Sequence, residues 1–299
     1  MSPQLALLVN PAARGGRTLR MLEPVARRLR AGGAELSMIV GDDATDALER
    51  ACTAVAERPD ALVAFGGDGL VHLAVQAVAG TGVPLGIIPA GTGNDIAAAL
   101  GVPCADPLAA ARAVLRMKSR LVDAARIVAG PADELFAGVV CCGFDSRVNE
   151  RANERANRRT WPPGMARYLV ATAQELRSFR PIPFRVTFDG GEVLEREVML
   201  VAVANTRSYG AGMRVCPGAL PDDGLLDVVV LDAVSKAEFV RVFPRVYRGS
   251  HVTHPAVSVR RVRSVRLEAA GVVAYADGER IGPAPVECEV RPGALRVIV

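Results

Sequence analysis

Aromatic residues are scarce: they fill 4% of the 299 positions, with one tryptophan among them, and there are only three histidines. Half of the residues are nevertheless hydrophobic, so the core has to be mostly aliphatic. Long apolar runs are missing as well, and none reaches the roughly 18 residues that cross a bilayer. The chain runs straight into a strand-like segment and shows no secretory leader, so the expectation is a soluble, cytoplasmic protein. Six cysteines (Cys52, Cys104, Cys141, Cys142, Cys216 and Cys288) include no C-x-x-C pair. Neighbours such as Val139 and Val140 suggest small buried side chains, and no disulfide framework is expected. His251 and His254 could share a helix face, but three histidines are too few to favour a zinc site. A net charge of +4 is too mild to argue for nucleic acid. Neither G-x-G-x-x-G nor G-x-x-x-x-G-K-[ST] occurs, which excludes Rossmann- and Walker-type phosphate loops.

What is present is concentrated in residues 61–100, ALVAFGGDGLVHLAVQAVAGTGVPLGIIPAGTGNDIAAAL. One apolar run, 61–65, ends in Gly66, Gly67 and Gly69 around Asp68; another, 83–88, leads to Gly91 and Gly93 around Thr92, then Asn94 and Asp95. A helix-like run follows each time. Glycines after a strand permit a tight turn and close approach to a ligand. The next helix offers free N–H groups and a positive dipole end, both suited to phosphate. A carboxylate in each loop would repel bare phosphate, so a cation shared with the phosphates is the better explanation. The pair of loops points to a nucleotide–magnesium site.

Strand-like runs at 5–9 and 35–40 alternate with helix-like runs at 18–30, 43–57 and 105–117, which implies a parallel sheet with helices on both faces. Leu70, Leu73, Ala74, Ala77 and Val78 form one helical stripe. From Phe136 the texture changes to short β-like runs (136–142, 184–188, 198–204, 225–231, 264–267 and 272–275), as in a β-sandwich or two-layer sheet. A charged, largely helical insert at 146–178 interrupts them. It places Arg147, Arg151, Arg155, Arg158, Arg159 and Arg167 near Trp161 and Tyr168. That mixture suits the face of an anionic bilayer. It also suits a solvated helix in which Glu150 and Glu154 pair with arginines at i+4, or a nucleic-acid backbone, though no reader motif accompanies it.

FGGDG at 65–69 followed by IIPAGTGNDIA at 87–97 resembles the catalytic domain of the diacylglycerol kinase family, whose superfamily includes sphingosine and ceramide kinases. GGDG is shared with NAD kinases and phosphofructokinases; PAGTGND narrows the likeness to the lipid-kinase branch. The resemblance implies an α/β plus β architecture. A parallel α/β domain of NAD-kinase/phosphofructokinase-like type spans 1–125, with a strand at 290–299 returning to it. A C-terminal β-sandwich for the lipid, carrying the helical insertion, spans 126–289.

Further matches run along the chain. Asn10, after the first strand, resembles the family's first nucleotide loop, and a simple capped turn explains it equally. Asp123 resembles the aspartate of a short crossing between domains that joins the water network around magnesium, and an ordinary strand acid is the alternative. Residues 216–227 resemble P-x-A-x-x-x-D-G-x-L-D, in which Asp223 and the carbonyls of Leu220 and Leu225 would hold a structural magnesium; a plain Asp-Gly turn is the other reading. Asp277-Gly278-Glu279 matches the signature whose glutamate acts as general base, and is also ordinary hairpin chemistry. Departures occur at Leu70 and at His72-Leu73, where most relatives carry Thr and Asn-Glu. Met38-Ile39-Val40 likewise lacks a nucleotide-contacting threonine.

The implied activity is ATP- and magnesium-dependent phosphorylation of the free hydroxyl of diacylglycerol, yielding phosphatidic acid. Gly66, Gly67, Gly69 and Gly91 would cradle ATP with Thr92 and Asn94. Asp68, Asp95 and Asp123 would serve the catalytic magnesium, and Glu279 would be the base. The implied site lies between the domains. Alternatives are a sphingosine-, ceramide- or monoacylglycerol-directed kinase, an NAD kinase, and a non-catalytic lipid-binding regulator on the same fold. Peripheral contact with the inner face of an anionic membrane is expected, as is a homodimer, since relatives often form one; no nucleic-acid partner is expected.

Overall fold

The first strand, β1 (Gln4–Val9), buries every residue after Gln4, as a strand covered on both faces must. A computed structural model describes residues 2–10, 17–154 and 165–299, with backbone alone at 17–19, 154 and 165–167. Its chain divides into two compact units, Met1–Ala124 with Pro221–Asp223 and Arg291–Val299, and Ala125–Leu220 with Gly224–Val290.

In the first unit, α1 (Arg17–Ala31), β2 (Glu35–Val40), α2 (Ala44–Ala56), β3 (Ala61–Gly66), α3 (Asp68–Val78), β4 (Leu85–Pro89), α4 (Asp95–Ala99) and α5 (Pro107–Leu115) alternate. β1 pairs in parallel with both β2 and β3, and β3 with β4. β3 and β4 are buried throughout. That explains why their sequences are unbroken apolar runs. The amphipathic stripe expected for α3 is too narrow. Val71, His72 and Val75 are buried along with Leu70, Ala74, Ala77 and Val78, while Leu73 is half-buried. α3 lies on the sheet and is flanked by α2 and α4, so most of its circumference is covered.

The second unit begins within β5 (Ser119–Ala129) and continues through β6 (Ala132–Phe136), β7 (Val139–Gly143), α6 (Phe144–Glu154), α7 (Met165–Ser178), β8 (Ile182–Phe188), β9 (Glu192–Ala204), β10 (Leu226–Asp232) and α8 (Lys236–Val242). After 3-10 turns at Phe243–Arg248 and Ser250–Thr253 come β11 (Val257–Val262), β12 (Ser264–Glu268), β13 (Val273–Ala276), β14 (Glu279–Pro283) and β15 (Val286–Ile298). The pairing within this unit is antiparallel, β9 taking β7, β8 and β10 as neighbours. Val201 and Val203 point into a sandwich core with Phe136, Val228, Leu267 and Val286. Ala202 and Ala204 point to a second core, capped by Phe144, Val148, Phe179 and Phe239. β9 is therefore apolar at consecutive positions in its second half, because helices cover the face that would otherwise be wet. β15 passes between units: its start pairs with β12, and Val297 pairs in parallel with Leu85 of β4.

Several local expectations change. The run 136–142 is two strands, broken at Ala137-Gly138. His251 sits in a one-turn 3-10 segment and His254 just beyond it in extended backbone, so they share no helix face. Cys52 is exposed and Cys104 half-buried; the other four cysteines are buried. Glu150 has Glu154 and not an arginine at i+4, and it meets Arg280 at 3.8 Å, while Arg151 takes Glu175 of α7. Arg155, Arg158, Arg159 and Trp161, and the side chains of Glu154 and Arg167, lie outside the described residues.

Candidate active site

The two glycine loops touch backbone to backbone. A Cβ built on Gly91 would stand 2.4 Å from the Cα of Gly67 and 2.9 Å from Oδ1 of Asn94. Only glycine permits that approach. The Ala90 N–H also donates to the Gly66 carbonyl at 2.7 Å. Asn94, in the left-handed region at φ 58°, closes its loop by accepting from the Gly91 N–H (2.8 Å) and donating to the Gly91 carbonyl (3.1 Å). Thr92 is exposed at the loop tip. Gly91→Ala is expected to displace one loop from the other, lowering stability by about 1–3 kcal/mol and weakening nucleotide binding. Thermal melts and ATP titration check this; wild-type values in both would show that the loops need not touch.

The two acids are placed differently. Asp68 opens α3, whose N-terminal Gly67 makes no side-chain cap. Its carboxylate accepts the N–H groups of Asp95 (3.2 Å) and Ile96 (3.1 Å), capping α4 from 27 and 28 residues away. The amides at the start of α4, expected to face phosphate, are thus turned to Asp68. The start of α3 is the longer helix end at these loops and the better anion seat. Cys104 donates weakly to the carbonyls of Val102 and Asn94. Burial, followed by the nearby charges of Asp68 and Asp95, pushes its thiol up. Among the described residues, no cluster of three or more His, Cys, Asp or Glu side chains is arranged to hold a metal. One or two acids completed by phosphate oxygens and water is the usual magnesium mode. The residues fit that mode and not an all-protein cage.

Asp123 is buried; its Oδ1 accepts the Gly293 N–H at 2.7 Å, and its own N–H donates to the Pro221 carbonyl at 2.6 Å. Asp222 pairs with Arg120 at 2.9 Å. These contacts hold Pro221–Asp223 in the first unit. Of the residues expected around a structural metal, Asp223 belongs to this short excursion; Leu220 and Leu225 flank it in sequence and fall in the second unit. Asn10 follows β1 directly, at the edge of the described residues.

In the second unit Asp277 (φ 55°) and Gly278 (φ 91°) make the two-residue turn between β13 and β14, both left-handed as a type I′ hairpin requires. Asp277 does more than turn. Its carboxylate accepts the N–H groups of Ala137 (3.1 Å), Gly138 (2.8 Å) and Val139 (3.2 Å). This clamp interrupts the strand run at 136–142 and fixes the hairpin. Glu279, exposed, is the first residue of β14.

The same unit holds an apolar cavity lined by Leu200, Val229, Leu231, Phe239, Phe243 and Val246, among others, with Asp145 and Tyr209 as polar points in its wall. Tyr209 Oη donates to Asp145 Oδ2. Burial lifts the Asp145 carboxyl from 3.8 to about 6, the bond from Tyr209 partly opposing this. Burial and the Asp145 charge push the Tyr209 phenol well up. Between about pH 4 and 6 the unfolded chain ionises Asp145 before the folded one does, so this group's contribution to stability is lost as pH rises and stays lost above 6. Asp145→Asn should remove that loss, worth roughly 2 kcal/mol after discounting for partial exposure. Urea midpoints from pH 4 to 7 test it; identical pH slopes in the two proteins would refute it.

Comparison with known proteins follows the same division. Residues 4–127 match the diacylglycerol kinase catalytic domain, and 138–299 the YegS C-terminal NAD kinase beta sandwich-like domain. A diacylglycerol kinase of Mycobacterium tuberculosis is 41% identical, covering 99% of this chain and 94% of its own length. One from Bacillus subtilis is 28% identical, covering 94% and 91%. A diacylglycerol kinase structure from Bacillus anthracis superposes with TM-score 0.73 at 22% identity, over 99% of this chain and 96% of its own. An NAD kinase from Archaeoglobus fulgidus in complex with ATP gives 0.54 at 13%, over 100% and 94%, a likeness of fold alone. An α/β domain with touching glycine loops, joined to a β-sandwich and matched over nearly its full length, places this chain in the bacterial diacylglycerol kinase family of lipid kinases.

Proposed function

We propose that this lipid kinase transfers the γ-phosphoryl group of ATP to the free hydroxyl of diacylglycerol, with magnesium, giving phosphatidic acid. The observation that carries the reading is the backbone contact between Gly67 and Gly91, which shapes both loops at the uncapped start of α3. Phosphoryl transfer asks the protein mainly to position groups and to balance charge. The α3 amides take the phosphates, and the Gly66–Gly69 and Gly91 backbones follow them closely, with Thr92 and Asn94 beside the loop. Asp68, Asp95 and Asp123 would hold magnesium directly or through water. Bound magnesium would supply positive charge against the negative charge that develops on the transferred phosphoryl group. Glu279 accepts the proton of the attacking hydroxyl. The cavity beside Phe239 and Phe243 takes acyl chain, which an aliphatic and aromatic lining favours. Under the same proposal Leu220, Asp223 and Leu225 hold a structural magnesium, and Asn10 reaches the nucleotide.

The test is radiolabelled phosphate transfer from ATP to diacylglycerol, monoacylglycerol, sphingosine and ceramide, with NAD as soluble control. Magnesium-dependent labelling of diacylglycerol above the others supports the reading. Preferred labelling of another lipid reassigns the substrate, and labelling of NAD alone overturns it.

A further inference from the structure

Residues 236–248, α8 and the 3-10 turn after it, carry two unlike faces. Phe239, Val242, Phe243 and Val246 turn inward and line the cavity. Val240, Arg241, Arg245, Tyr247 and Arg248 face outward, with Val240 58% and Tyr247 44% exposed. The segment's only acid, Glu238, turns to the cavity wall and pairs with His254 at 3.3 Å. Several arginines elsewhere in this unit have carboxylate partners, Arg126 with Asp133, Arg185 with Glu195, Arg196 with Asp232 and Arg266 with Glu287, while Arg177, Arg180, Arg214 and Arg263 have none among the described residues. Among the described residues Arg241, Arg245 and Arg248 have none. Tyr247 also heads a ladder of rings. It meets Phe243 edge-on at 6.5 Å, Phe243 stacks on Phe239 at 5.8 Å, and Phe239 reaches Phe144 of the core at 4.9 Å.

Three guanidinium groups without counter-charge, interleaved with an exposed aliphatic and an exposed tyrosine, match an anionic bilayer interface. The lipid headgroups attract the arginines, and the interfacial region accepts Tyr247 and Val240. A nucleic acid would draw on the arginines and gain nothing from Val240. We propose that the outer face of 236–248 docks on anionic membrane, so that a lipid passes from the bilayer along the inner face of the same segment into the cavity. The passage rests on the acyl-chain assignment above; the docking does not.

Co-sedimentation of the full chain with phosphatidylcholine vesicles, with and without phosphatidylglycerol, tests it. Arg241→Gln/Arg245→Gln/Arg248→Gln should weaken binding to the anionic vesicles roughly 100-fold, at about a factor of five per arginine near the surface. Val240→Ser/Tyr247→Ser should also weaken it. The control, Arg185→Gln/Arg196→Gln/Arg266→Gln, removes the same charge elsewhere and should bind as wild type. Wild-type binding by the outer-face triple variant, or equal loss in the control, overturns the proposal. So does a surface that binds single-stranded RNA through the three arginines while Val240→Ser/Tyr247→Ser leaves vesicle binding unchanged. For the passage, the triple variant should phosphorylate detergent-dispersed short-chain diacylglycerol at the wild-type rate and vesicle-embedded diacylglycerol more slowly; equal loss on both overturns it. A wild-type chain that phosphorylates no lipid, with vesicle binding still lost in the triple variant, refutes the proposed activity and supports the docking.

Discussion

Glu279→Gln is expected to lower turnover by about two to four orders of magnitude while ATP still binds. The substitution keeps the side chain's shape and removes only its ability to take a proton. Glu279 is exposed at the start of β14, so the melting temperature should stay near wild type, as for surface changes that remove no buried partner. Its neighbour supplies the contrast. Asp277→Ala strips the acceptor from three backbone N–H groups in a buried turn. It should cost roughly 2–4 kcal/mol, because each orphaned donor bears its own desolvation. The two variants therefore separate chemistry from support: one loses turnover with its melt intact, the other loses its melt first. Single-turnover phosphorylation with calorimetry on both reads the difference. Normal turnover in Glu279→Gln removes that residue from the mechanism.

What the sequence shows and what it hides divide by distance along the chain. Unbroken apolar runs ending in glycine mark β3 and β4 because burial on both faces leaves no polar alternation. The Asp-Gly pair at 277–278 marks a hairpin because few other pairs accept two left-handed residues. Each signal is local. The bonds made by the acids among or beside the candidate site residues are not. Asp68 reaches the start of α4 across 27 residues, Asp277 the 137–139 turn across about 140, and Asp123 Gly293 across 170. A carboxylate promised to a distant N–H looks the same in sequence as one promised to a metal. The detachment of Pro221–Asp223 from the unit around it was equally hidden, since it rests on Arg120 and on the Asp123 N–H. The cavity was hidden too: its lining comes from residues scattered between 145 and 257 and assembles only in the fold.

Asp68 is where those two readings compete, and two substitutions separate them. Asp68→Ala loses both the charge and the cap on Asp95 and Ile96; a lost cap costs about 0.5–2 kcal/mol. Asp68→Asn keeps an oxygen acceptor for one of those N–H groups and loses only the charge, and asparagine caps helices about as well as aspartate. If Asp68 serves the magnesium–nucleotide complex, both variants should lose turnover by roughly two to three orders of magnitude, the scale for removing one preorganised charge-stabilising group. Only Asp68→Ala should also melt earlier, and raised magnesium should partly restore Asp68→Ala and Asp68→Asn alike. If Asp68 is a cap and nothing else, Asp68→Asn should work at close to the wild-type rate while Asp68→Ala alone declines. Near-normal activity in Asp68→Asn would take the metal away from Asp68 and leave Asp95 to hold it. Loss in both, with stability lost only in the alanine variant, would mean that one carboxylate ties the two loops together and keeps its charge for the magnesium.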